Sequence, residues 1–136
     1  MGASEWQRLL GGPSMLGDLY GGRAPALDEC ELFYVHADER DNSVTVGFDT
    51  VRLPSHPRSE WSEAPYNRFE FYLFFSDVAD FQVNGWSMRE ARDIHVATAP
   101  GGAISVSFGD TGAGIHFTAP SVRLARTRVY LASDVP

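Results

Sequence analysis

From Leu27 onward, apolar side chains recur at every second position in short runs. That period constrains the chain to β structure, because successive strand residues face opposite sides of a sheet. Glu31-Leu32-Phe33-Tyr34-Val35-His36-Ala37 is rich in aromatic and branched residues, and Val44, Val46 and Phe48 alternate with Thr45 and Gly47. The cluster Asp38-Glu39-Arg40-Asp41-Asn42 separates the two runs, so the pair reads as a β-hairpin. Phe69, Phe71, Leu73 and Phe75 form another apolar face, opposed by Arg68, Glu70, Tyr72 and Phe74. After Ser76-Asp77 comes Val78 to Gly85, with Phe81 and Val83 on one face. Ile94 with Val96, Ile104 with Val106 and Phe108, and Ile115 with Phe117 continue the pattern. Pro100-Gly101-Gly102 and Gly109-Asp110-Thr111-Gly112 are turn signals between them. In the last run, Val122 and Leu124 lie on one face but Val129 and Leu131 on the other. A one-residue bulge near Arg126 reconciles them.

About eight short strands predict a mainly β fold in one domain, residues 1–136. The expected form is an antiparallel meander, as a sheet, a sandwich or a partly open barrel. Short N-terminal helices cover one edge or one open end. Trp6, Leu9 and Leu10 make one helical stripe behind Ser4, and Pro13 opens a second helix with Met15, Leu16 and Leu19. Gly21-Gly22 stops it. Thr50 to Asn67, with Pro54, Pro57 and Pro65, is the one long irregular stretch, and loops of that length are more often functional than idle.

A chain of 136 residues buries about two-thirds of its unfolded surface, enough to fold without a metal or a disulfide. Its formal charge is 11 − 18 = −7, and every strongly basic side chain is Arg. Phosphate neutralisation needs clustered cations, so nucleic acid and anionic membranes are poor partners. A basic protein is a better one. The single cysteine, Cys30, suits a reducing compartment, and Met1 to Gly12 has no leader-like pattern. With no apolar run near the length of a membrane helix, the expected location is cytoplasmic.

Chemistry is poorly supported. No G-x-S-x-G elbow or calcium-loop pattern occurs, and Cys30 sits between Glu29 and Glu31, which disfavour a thiolate. The glycines of 109–114 lack the Lys and following helix of a phosphate loop. His36, His95 and His116 lie within strands and leave open a metal-assisted enzyme if three strands bring them together, although none shows the close spacing of metal ligands. Phe71, Tyr72, Phe74 and Phe117 leave open a barrel enclosing a small ligand. The expectation is no catalytic residue, no resident metal and no cofactor.

Two binding surfaces are candidates. In a meander, the turn at Asp38 to Asn42 shares an end with the turn at Asp77 to Asp80. Asp38, Glu39, Asp41, Asp77 and Asp80 against Arg40 sum to 1 − 5 = −4 there. The opposite end holds Arg58, Glu60, Trp61 and Glu63 of the Pro-rich loop, with Trp86, and Trp and Arg are favoured interface anchors. Against these stand the plainer readings: a solvated acidic turn, and a Trp that anchors its own loop.

Several landmarks occur in a telling order. An opening helix with Trp6, Leu9 and Leu10 leads to Pro13-Ser14, Leu16-Gly17-Asp18-Leu19-Tyr20 and Pro25-Ala26-Leu27. The Val44 to Asp49 strand runs into Leu53-Pro54, Pro57, Trp61 and Asn67, then Phe69 and finally Val83-Asn84-Gly85-Trp86. In this the chain resembles the immunity protein 50 family of bacterial polymorphic toxin systems. The resemblance implies a partner, a cognate toxin neutralised by stoichiometric binding. It carries no catalytic residues. A basic nuclease is the toxin class that the acidic charge favours.

Overall fold

The alternating runs become strands in the computed structural model, which describes residue 10 and residues 15–85, 94–98, 100–109 and 114–133. Eight strands lie among the described residues: β1 (Glu31–Asp38), β2 (Ser43–Thr50), β3 (Arg68–Ser76), β4 (Ala79–Asn84), β5 (Ile94–Thr98), β6 (Ile104–Phe108), β7 (Gly114–Ala119) and β8 (Ser121–Tyr130). They form two antiparallel sheets, ordered β1-β2-β3-β8 and β4-β7-β6-β5. The fold is mainly β, as the periodicity predicts, and it is not closed into a barrel. The two runs of consecutive hairpins, β1-β2-β3 and β5-β6-β7, follow a meander. Strand β4 departs from it: it pairs with β7, not β5. The Asp77-Val78 corner carries the chain from the first sheet to the second, and Pro120 sits in the turn that returns it.

Register decides which residues enter the core. Val44, Val46, Phe48 and Thr50 oppose Phe75, Leu73, Phe71 and Phe69, and all eight are buried. The second sheet contributes Ile94, Val96, Ile104, Val106, Phe108, Ile115 and Phe117. Rings meet across the interior: Phe48 lies 6.5 Å from Phe108, and Phe75 lies edge-on to Phe117 at 5.1 Å. Of the aromatics that suggested an enclosed ligand, Phe71 and Phe117 are core residues, whereas Tyr72 and Phe74 alternate to the outer face of the first sheet. The four line no common cavity, so the barrel alternative loses its basis.

Bulges correct the alternation where it fails. On β8, Tyr72 faces Arg126 while Leu73 faces Leu124, which leaves Ala125 as the extra residue, at the place where the sequence needs one. A second bulge was not apparent from the sequence. On β1, Leu32 faces Phe48 and Tyr34 faces Gly47, so Phe33 is extra and both rings are exposed. Strand β4 carries a third, between Ala79 and Gln82, where Asp80 takes φ 56°.

The helix α1 (Met15–Leu19) buries Leu16 and Leu19, and Tyr20 meets Phe69 edge-on at 5.8 Å. Gly21 and Gly22 end it at positive φ, which glycine adopts without steric cost, and the Gly22 N–H donates to the Gly17 carbonyl. The helix therefore closes the end of the sandwich where β2 ends and β3 begins. The long loop is tied to it by a His56 N–H to Leu19 carbonyl bond of 2.8 Å. The earlier helix expected around Trp6 lies outside the described residues. No helix among the described residues is long and apolar enough to cross a membrane.

Candidate partner-binding site

At the acidic end, the structure brings the two expected turns together. The Val78 N–H donates to the Asn42 carbonyl at 3.1 Å, so the β1–β2 turn and the β3–β4 corner abut. Glu39, Asp41, Asp77 and Asp80 are exposed. Asp38 is partly spent on the turn itself, accepting from the Arg40 backbone N–H at 3.0 Å and lying 3.5 Å from its guanidinium. Asn42, Asp77 and Asp80 all have φ between 50° and 56°, a conformation that short polar side chains tolerate better than most. The backbone at this end thus favours the Asp and Asn residues that also make it acidic.

The opposite end is built differently. Trp61 sits in a 3₁₀ turn, Ser59–Glu63, half-buried with its ring 5.9 Å from Phe69. The indole packs its loop onto the core. Arg58 and Glu60 pair with each other at 2.8 Å, and Glu63 is exposed. Trp86 lies outside the described residues. A shallow cavity of about 260 Å³ lies beside the β8 bulge, lined by Arg58, Leu124, Ala125, Arg126 and Thr127.

A third surface, the outer face of the first sheet, was not singled out from the sequence. Phe33 and Tyr34 are 40% and 42% exposed and meet Tyr72 edge-on, each at 5.8 Å between centroids. Tyr72 itself is only 7% exposed, because it lies across Gly47, where a Cβ would stand 2.8 Å from its ring. Three β8 arginines lie over aromatic rings: Arg123 over Phe74 and Arg126 over Tyr72, both at 4.4 Å, and Arg128 over Tyr130 at 5.1 Å. The signal was present in the alternation, since Tyr72 and Phe74 oppose the core-facing set. It goes unread because the partners come from β1 and β8, far apart in sequence.

Beyond Tyr72 on that face lies a row of carboxylates: Glu31 opposes Asp49, and Asp49 opposes Glu70. Adjacent like charges are unfavourable unless compensated. The Tyr130 hydroxyl donates to Asp49 Oδ2, and burial together with that carboxylate pushes the phenol up to about 12. Arg128 comes within 3.5 Å of the buried Glu70 carboxylate, without hydrogen-bond alignment.

Little converges elsewhere. His36 lies on the outer face of the first sheet, whereas His95 and His116 flank Ser107 on the outer face of the second. The three histidines therefore cannot share one ion, because the packed sheets separate them, which overturns the metal-assisted alternative in that form. Among the described residues no group of three or more potential metal ligands occurs. The Ser107 hydroxyl and His116 Nδ1 are 2.8 Å apart, a hydrogen-bonded pair on an open sheet face. Cys30 is a buried free thiol pushed up to about 12, chiefly by burial and then by Glu29 and Asp28, against a hydrogen bond with Thr50.

No curated protein and no solved structure matches the chain. The landmarks of the family resemblance have structural work: Leu16, Leu19, Tyr20 and Leu27 enter the core, Pro54 is buried, and Asn67 bonds both backbone groups of Ala132. The family model for immunity protein 50 matches residues 12–130, most of the length, and the chain belongs to that family.

Proposed function

We propose that this chain neutralises a cognate bacterial toxin by binding it one to one, with no bond made or broken. Family membership carries the reading, since an immunity protein implies a toxin partner. What supports a binding role over a catalytic one is the distribution of chemistry. The one thiol is buried and held protonated, and the aromatics pack against each other or lie open on a sheet face. Action in the cytoplasm is part of the proposal, in keeping with a free cysteine.

The toxin we favour is a basic one, such as a nuclease. Five carboxylates stand at the acidic end against Arg40, and the whole chain carries a charge of −7. Such a field raises the encounter rate with a cationic partner and weakens as salt screens it. Replacing Asp38, Glu39 and Asp41 with Ser should slow association with the toxin encoded beside this chain by roughly 10-fold at low salt. The difference should shrink at high salt. Stopped-flow association rates read this directly, and an unchanged low-salt rate removes the acidic end from the mechanism.

A further inference from the structure

We propose that the outer face of the first sheet is where the toxin docks, and that the matching toxin surface presents an apolar side chain at its centre and carboxylates along one margin. This rests on the immunity reading and extends it, naming the docking face and the chemistry it takes.

Three observations define the occupant. First, the bulge in β1 places two consecutive rings, Phe33 and Tyr34, on the outer side, where regular alternation would expose only one. They stand beside the nearly buried Tyr72 and form an open apolar centre. Second, Arg123 and Arg126 have no ion-pair partner among the described residues. Arg40, Arg52, Arg58 and Arg128 each have a carboxylate within 3.5 Å, and Arg23, which shows none, lies outside the sheet between α1 and β1. Arg126 and Arg123 stand at Tyr72 and beyond it, on the side away from the carboxylate row of Glu31, Asp49 and Glu70, and so leave local positive charge for a partner to meet. Third, the guanidinium carbon of each lies 4.4 Å from a ring centroid, a cation–π contact that restrains the side chain while its N–H donors can still meet a carboxylate. Ordering the side chains before binding reduces the entropy lost on association.

The scale also fits. From β1 to β8 the face spans three strand spacings, about 14 Å, which along strands of about 30 Å gives roughly half of the ~800 Å² that each partner buries in an ordinary interface. Tyr and Arg are the residue types that dominate such centres. The acidic turn adjoins this face through Asp38, at the end of β1, so steering by the one delivers the partner to the other.

The test uses the whole chain, the inactivated toxin from the adjacent gene, and three substitutions of exposed or partly exposed groups: Tyr34→Ala, Arg123→Glu and Arg126→Glu. Calorimetric titration should show wild-type binding, a loss of about 10-fold for Tyr34→Ala and about 100-fold or more for either reversal, with unchanged far-UV circular dichroism. Arg123→Gln and Arg126→Gln, which remove the charge without reversing it, should lose about 10-fold and serve if a reversal unfolds the chain. If the wild type binds and all variants bind within about twofold, the docking face is wrong and the immunity reading stands. If the wild type does not bind, the immunity reading fails and this inference fails with it. A wild-type dimer broken by these substitutions, with toxin binding intact, assigns the face to a second copy and also overturns the proposal.

Discussion

Gly47 is the smallest residue on the outer face of the first sheet, and its size determines what its neighbours do. It has no Cβ to hold Tyr72 away, so the ring packs closely against the strand and lies beneath Arg126. A methyl group here would meet Tyr72 Cε2 at 2.8 Å and Tyr34 Cβ at 3.0 Å. Gly47→Ala should therefore destabilise the chain by roughly 1–3 kcal/mol through overpacking, read by urea denaturation. The loss should be smaller when Tyr72 is also replaced by Ala, because the two sites share one contact. Sequence alternation shows a glycine within a strand and nothing more. Its purpose depends on which ring lies opposite, and cross-strand register decides that.

Among the elements, β8 was the least regular in sequence and is the most consequential. It closes the first sheet, returns the chain from the second, and carries three arginines that lie over aromatic rings. Its end is pinned from outside the strand ladder. Asn67 accepts from the Ala132 N–H at 2.7 Å and donates to the Ala132 carbonyl at 3.1 Å, extending the pairing of β3 with β8 by one side-chain rung. Asn67→Ala removes both bonds and should cost about 1–2 kcal/mol. Hydrogen exchange at residues 130–132 should quicken while the amides of β2 remain protected. The bulge at Ala125 was legible, because apolar residues change face there and an extra residue is the simplest remedy. The bulge at Phe33 was not, because aromatic residues suit either face and leave no phase error to read.

For the molecule as a whole, one aromatic-rich composition serves two ends. Phe117 is fully buried between the sheets, whereas Phe33 is 40% exposed on the outer face. Phe117→Ala should destabilise by about 3–5 kcal/mol, and Phe33→Ala by no more than about 0.5 kcal/mol. Thermal and chemical denaturation of the pair measure that contrast, and similar losses would contradict the inner and outer assignments. The sequence by itself determined the strands, most core-facing residues, the β8 bulge and the family, because each is written in local periodicity or in the order of residues; Phe81 and Val83 of β4 alternate like a core face yet stand 40% and 50% exposed. It also brought the two acidic turns to one end, since hairpin succession places them there. Tertiary structure alone decided that β4 joins β7, that His36 is separated from His95 and His116, and that arginines from β8 lie over rings of β3. Those outcomes depend on which strands become neighbours, and pairing between distant segments is set by packing of the whole core, which no local pattern encodes.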